Sequence, residues 1–281
     1  VTLNSAQIDG NTSRNNAASR SYTGPYRVMV VDDSAIIRGL TAKWLDEEPS
    51  IKVVNTSSNG EMAVKALAAY DPEVVVLDIE MPVMDGMTAL PKILAFNPNI
   101  QVLMASTLTK RNAEVSLRAL TLGAVDYVSK PETNREVTTS VSYQDELIGK
   151  VVNLAAANRR KHGGEVFEAK DTTVAAGLAP AKSSGAVNLA PRKSTARPDV
   201  VAVGSSTGGP QALLKFFNDV KDYSVPFFVT QHMPAKFTKI LADNLTRAAG
   251  IDCKEAEDGD VVAPGKVFLA PGDYHMLVVR D

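Results

Sequence analysis

The sequence predicts an α/β protein: a five-stranded parallel-sheet unit, a flexible linker, and part of a second doubly wound unit. Three observations carry this reading. Between residues 27 and 129, five short apolar runs alternate with amphipathic helical patterns, the signature of strands covered on both faces by crossover helices. From Gly163 to Pro198 the chain is rich in Ala, Ser, Lys and Pro and has hardly any large apolar residue, so it cannot bury a core. After Asp199 the alternation of strands and helices resumes. The expected organisation is a disordered leader over 1–25, a first domain over 26–145, a helix and linker over 146–198, and a second domain over 199–281.

The totals agree with two soluble domains. A chain of 281 residues with 44% hydrophobic and 22% charged content can bury two ordinary cores. The net charge of -2 gives no overall pull toward nucleic acid or an anionic membrane. Cys253 is the single cysteine, which excludes an internal disulfide framework and suits a reducing cytoplasm. No apolar run approaches the roughly 18 residues of a membrane span. A cytoplasmic protein without membrane insertion is expected.

The first unit begins after a polar stretch of Asn, Ser, Thr and Ala. Val28 to Val31 reads as a strand ending in Asp32-Asp33-Ser34, and Ile36, Ile37, Leu40, Trp44 and Leu45 mark one face of the helix that follows. The later strands are 51–54, 74–77, 102–105 and 127–129, and the later helices 61–70, 87–96 and 112–122. In such a sheet the reactive edge lies at the carboxyl ends of the strands. Asp32 and Asp33 end the first strand, Asp78 the third, Ser106 and Thr107 the fourth, and Lys130 the fifth. Three carboxylates brought together repel one another, and a hard divalent cation with oxygen ligands, Mg²⁺, relieves this best. A metal and a lysine neutralise a phosphoryl group in transfer while a hydroxyl donates to it, which makes Asp78 the phosphate-accepting nucleophile.

The residues Val30-Val31-Asp32-Asp33-Ser34, Val76 to Gly86 and Val128-Ser129-Lys130-Pro131 closely resemble a two-component receiver domain, over about Tyr26 to Asp145. The resemblance implies a flavodoxin-like fold and phosphorylation of Asp78 by a histidine kinase. It also implies Mg²⁺ arranged by Asp32 and Asp33, Lys130 paired with the phosphate, and a cis Lys130-Pro131 bond.

Beyond Pro131, Leu147, Val151 and Leu154 mark a helix to about Arg160 that either closes the first unit or opens the linker. The basic cluster Arg159-Arg160-Lys161-His162 reads equally as a solvated helix end or a binding patch, and His162 has no evident partner. In the second unit, Val200 to Val203 is a buried strand, Gly204 to Gly209 a tight turn, and Pro210 the start of a helix. Gly204-Ser205-Ser206-Thr207-Gly208 matches G-x-S-x-G in its required strand-turn-helix context, which makes Ser206 a candidate nucleophile. The next strand, Pro226 to Gln231, ends at His232, one βα unit later, where neighbouring strand ends bring a base within reach of Ser206. His275 is the rival, placed inside a strand over 275–279 that follows another around 267–270. Nothing near Cys253 supports a nucleophile.

Gly204 to Pro210, Thr230-Gln-His-Met-Pro234, Glu255 to Gly259 and Ala270 to Met276, together with the order of the two units, closely resemble the protein-glutamate methylesterases of chemotaxis. The resemblance implies hydrolysis of glutamate methyl esters, and in many members deamidation of glutamines, on methyl-accepting chemoreceptors. It makes Ser206 the nucleophile and His232 its base, with no cofactor for the esterase, and has phosphorylation by the chemotaxis histidine kinase relieve inhibition by the receiver. It also places the triad aspartate beyond Asp281, in a segment this chain lacks, so that the chain as it stands is expected to be impaired. Asp273 and Asp281 match no triad position. Two rivals fare worse. A DNA-binding response regulator requires a basic recognition helix where the chain has Glu255, Glu257, Asp258 and Asp260, and a nucleotide binder requires G-x-G-x-x-G or a P-loop, both missing.

Overall fold

The computed structural model describes residues 22–107, 110–131, 140–167, 198–220 and 223–279. The first sheet is wholly parallel with strand order β2-β1-β3-β4-β5. Its strands are β1 (Tyr26–Val31), β2 (Ile51–Ser57), β3 (Val74–Asp78), β4 (Gln101–Thr107) and β5 (Asp126–Lys130). Helices α1 (Ala35–Glu47), α2 (Gly60–Tyr70), α3 (Gly86–Phe96) and α4 (Lys110–Thr121) make the crossovers, and α5 (Val141–His162) follows β5. The continuous apolar runs in the strands have a direct cause. In β3, Val74 and Val76 face a core shared with α1 and α5, whereas Val75 and Leu77 face the opposite core under α2, α3 and α4. With both faces buried, alternate residues must all be apolar. Side chains of Ser34, Asn59, Asp85 and Ser140 cap the helices they precede, so each helix start is written locally.

The second sheet is also parallel, in the order β6-β7-β9-β8, from β6 (Val201–Ser205), β7 (Phe227–Gln231), β8 (Asp252–Glu255) and β9 (Lys266–Leu269). Helices α6 (Gly209–Asp219) and α7 (Ala235–Ala249) pack on it through Leu213, Phe217, Phe237, Leu241 and Leu245. That core is continuous with the α4 side of the first sheet, where Leu117 and Leu120 meet it. The Tyr127 ring of β5 stacks on Phe237 of α7 with centroids 4.5 Å apart and planes 5° apart. No helix among the described residues is long and apolar enough to cross a membrane.

Several expectations are corrected. The segment 275–279 is not a strand, and the fourth strand is instead β8, at the sheet edge, which ends where the acidic run from Glu255 to Asp260 begins. Helix α5 buries Tyr143, Leu147, Val151 and Leu154 against the first sheet, so it closes that unit, and a boundary at 145 would cut it. The leader is anchored before Tyr26: the carbonyls of Gly24 and Pro25 accept hydrogen bonds from Arg159 at 2.7 and 3.1 Å. No cis peptide bond is present among the described residues, so Lys130-Pro131 is trans, the lower-energy form of such bonds. The leader residues 1–21 and most of the linker lie outside the described residues.

Arg159 itself reverses the reading of its cluster. It is 2% exposed and grips Glu73 with two parallel 2.6 Å hydrogen bonds, its guanidinium 4.5 Å from the Tyr26 ring centroid. Glu73 also accepts from the Arg27 backbone N–H at 3.0 Å. One strained residue stands out in the β3–α3 loop. Val83 has φ 67 and is 80% exposed, a left-handed conformation that a β-branched side chain resists. Val83→Gly is therefore expected to raise stability by about 1 kcal/mol, read as a higher urea midpoint at unchanged slope.

Candidate functional site

The acidic cluster forms where β1, β3 and β5 end side by side. Lys130 donates to Asp32 Oδ2 at 2.7 Å and lies 2.8 Å from Asp78 Oδ1, which also accepts the Ile79 N–H at 2.8 Å. Asp32 is fixed in turn by the Ser34 N–H at 2.9 Å. Asp32 and Asp78 are buried and Asp33 is exposed, and one oxygen from each of the three lies within 4.8 Å of the others. Three hard oxygen donors at that spacing, one open to solvent, suit a small divalent cation. A cleft of about 510 Å³ opens beside them, lined by Asp33, Ile79, Glu80, Met81, Asp85 and Met87 among others. Ser106 is the next-to-last residue of β4, and its buried hydroxyl shares a 2.9 Å hydrogen bond with Ser116 of α4.

Burial pushes the Asp78 carboxyl up to about 6, with Lys130 opposing and Asp32 adding to the rise. Burial also works against the Lys130 charge, yet Asp78 and Asp32 hold its pKa above the ordinary lysine value. A raised carboxyl favours folding when protonated, so its contribution is complete below about pH 4 and is lost as pH rises through about 6. In chelator at pH 7.5, Asp78→Asn is expected to be more stable than the unsubstituted chain by roughly 2–3 kcal/mol, the gap closing below about pH 4. Melting curves across pH measure this.

The second cluster is at the carboxyl edge of the other sheet. β6 ends at Ser205, the turn carries Ser206 and Thr207, and α6 begins at Gly209 with Gly208 as its N-cap at φ 73. Ser205 pairs with Gln231 in the β6–β7 register, and the His232 N–H donates to the Ser205 carbonyl at 3.1 Å. Ser206 and His232 are thus the next residues on adjacent strands, and both are exposed. Among the described residues no hydrogen bond joins their side chains, a looseness common in unliganded sites. The rival His275 is exposed and outside any strand. Asp273 is exposed at φ 65, and Asp281 lies outside the described residues. Cys253 is buried and its thiol is pushed up to about 12, first by burial and then by Asp252 and Asp243, so it is inert at neutral pH.

Two residues outside the sequence motifs, Asp126 and Gln211, join the two units beside the second cluster. Asp126, at the start of β5 and 1% exposed, pairs with Lys150 of α5 at 2.9 Å. The same oxygen accepts the Gly208 N–H, in the turn that carries Ser206, at 3.0 Å. Gln211 of α6 donates to the Ala124 carbonyl at 2.5 Å, beside that contact. A charged residue opening an otherwise buried strand was the one signal in the sequence that pointed to Asp126.

Comparison with known proteins matches residues 28–142 to the response regulator receiver domain and residues 201–281 to the CheB methylesterase family. The chain is 49% identical over 274 residues to protein-glutamate methylesterase/protein-glutamine glutaminase 1 of Rhodospirillum rubrum, covering 93% of this chain and 70% of that protein. It belongs to that family. A second member, from a group 2 operon of Rhodospirillum centenum, is 46% identical over 268 residues, covering 91% of this chain and 68% of its own length. The methylesterase family's receiver portion is represented by a crystal structure of the response regulator domain of Thermotoga maritima CheB. That structure has 35% sequence identity and covers 47% of this chain and 96% of its own, at a TM-score of 0.42.

Proposed function

We propose that the full gene product to which this chain belongs hydrolyses glutamate methyl esters on chemoreceptors, and deamidates receptor glutamines, under control of phosphorylation at Asp78. The observation that carries the reading is the parallel β6–β7 pairing that sets Ser206 beside His232 at an exposed strand edge, in a chain of this family. Ser206 Oγ attacks the side-chain ester carbonyl while His232 takes its proton. The tetrahedral intermediate expels methanol, protonated by His232, and leaves an acyl-enzyme. Water activated by the same histidine attacks the acyl carbon, freeing the glutamate carboxylate and restoring Ser206. Backbone N–H groups of the Ser206 turn stabilise the oxyanion, with the N-terminus of α6 behind them.

In the receiver, an Asp78 oxygen attacks the phosphorus of a phosphohistidine on the kinase, and the imidazole leaves. Mg²⁺ held by Asp32, Asp33 and Asp78 supplies neutralisation of phosphoryl charge when bound. Lys130 is positioned to pair with the new phosphoryl group, and Ser106 donates to it after leaving Ser116. The chemistry suits a cytoplasmic protein acting on cytoplasmic receptor helices.

The Asp126 contact supports a direct form of inhibition. The receiver's carboxylate occupies an N–H of the Ser206 turn, and α4 and β5 pack on α6 and α7 around it. Asp126→Asn weakens a charge-assisted bond of about 1.5–3 kcal/mol, so unphosphorylated methanol release is expected to rise about 10-fold or more. The test of the whole reading is methanol release from methylated receptor membranes by the full gene product, with and without Mg²⁺ and a phosphoryl donor. Release that rises on phosphorylation, and does not rise in Asp78→Asn, is expected; a protein that releases no methanol under any of these conditions overturns the reading.

A further inference from the structure

We propose that Gln231 is the positioning residue that holds the nucleophile and the base of this site in register. The inference rests on the assignment of Ser206 and His232 made above. Gln231 is the last residue of β7 and is 7% exposed. It shares the inner face of the strand with Phe227 and Val229, where an apolar side chain is the ordinary occupant. All of its amide's hydrogen-bonding groups are engaged inside the protein. Its Nε2 donates to the Ser206 carbonyl at 3.0 Å and to the His232 carbonyl at 3.1 Å, and its Oε1 accepts the Ser205 hydroxyl at 2.6 Å.

The orientation of that amide is forced. Two peptide carbonyls can only accept, so the NH₂ end must face them, and the Ser205 hydroxyl then finds the oxygen. A single planar group thereby bridges the two peptide units that carry the reacting side chains. It fixes the backbone after Ser206 and after His232, and so the directions in which their Cα–Cβ bonds leave the sheet edge. The surroundings are shaped to admit it. A Cβ on Gly209 would lie 1.9 Å from Gln231 Oε1 and 2.9 Å from Ser205 Cβ, so only glycine leaves room for the amide at the first turn of α6. The Gly209 N–H adds a second donor to the Ser206 carbonyl at 2.7 Å. Neighbouring strand ends bring Ser206 and His232 close, but the ladder ends with the bond from the His232 N–H to the Ser205 carbonyl, and no further ladder bond holds the Ser206 and His232 carbonyls. Gln231 supplies that restraint for both strands at once.

Because Gln231 touches neither substrate nor the reacting atoms, its loss acts on alignment, and misplacement by about 1 Å costs on the order of 10²-fold in rate. The experiment uses the full gene product carrying Gln231→Met, which keeps the volume and removes every hydrogen bond, beside Ser205→Ala, which frees only the acceptor end. Methanol release gives kcat and KM, and labelling by a fluorophosphonate, which phosphonylates Ser206 with loss of fluoride, gives the reactivity of the nucleophile per folded molecule. The expected result is a kcat about 10²-fold lower in Gln231→Met and about 10-fold lower in Ser205→Ala, KM within threefold, and labelling slowed in parallel. A purely structural role would lower the folded fraction and leave the rate per labelled serine unchanged. A kcat within threefold of the parent in Gln231→Met, or in Ser205→Ala should the first chain not fold, overturns the proposal. Failure of the unsubstituted protein to label at Ser206 instead overturns the assignment on which it rests.

Discussion

Ser206→Ala is expected to reduce methanol release by about 10⁴-fold or more, with the protein's melting temperature unchanged. The hydroxyl is exposed and no hydrogen bond holds it among the described residues, so its removal takes away the attacking atom and no stabilising contact. Substituting His232 is expected to approach the same floor, because a serine without a base is a weak nucleophile and a base without a serine has nothing to activate. The double variant is then expected to be hardly worse than either single one, the non-additivity of groups that act as a unit. Near-full activity in Ser206→Ala would move the chemistry away from the β6–β7 edge altogether.

Arg159→Ala is expected to cost about 3–5 kcal/mol, the penalty for leaving the partner of a buried ion pair uncompensated. Glu73 would be left inside the protein with only the Arg27 N–H to meet it, and the Gly24, Pro25 and Glu165 carbonyls would lose their donors. Urea unfolding followed by Trp44, which sits in the same core, is expected to show a midpoint lower by roughly 1–3 M. Replacing both partners by apolar residues of similar size is expected to recover the part of the loss that lies in the orphaned charge, while the Gly24, Pro25 and Glu165 carbonyls stay without their donor. Arg159→Lys recovers little, since an ammonium cannot reproduce the two parallel bonds to one carboxylate.

The sequence made the meeting of Asp32, Asp78 and Lys130 plain for a reason seen in the strands. Asp32, Asp78 and Lys130 each terminate a short apolar run, and parallel topology brings those ends together whatever the intervening helices contain. The Ser206 and His232 edge was legible on the same logic, one βα unit apart. What was hidden depends on distant partners. The basic residues 159–162 look alike in sequence, and only a glutamate 86 positions away separates the buried Arg159 from its solvated neighbours. Asp126 likewise meets Gly208 across 82 positions, and Gln231 shows no local sign of bridging two peptides. β8 escaped notice because an edge strand of four residues with one buried side chain has too few apolar positions to reveal a period. The apolar 275–279 run has the composition of a strand but no neighbour to pair with among the described residues.

Strand β5 sets a limit on how freely this receiver can be exchanged for another. Within five consecutive residues, Lys130 answers to the Asp78 carboxylate, Tyr127 to an aromatic ring of the other unit, and Asp126 to the turn that carries Ser206. A grafted domain with intact phosphorylation chemistry but a different pair of residues at 126 and 127 would take up phosphate normally and have no grip on the esterase. Interchangeable modules in sequence are, across this short strand, a matched pair, and the two halves are constrained to change together at these positions.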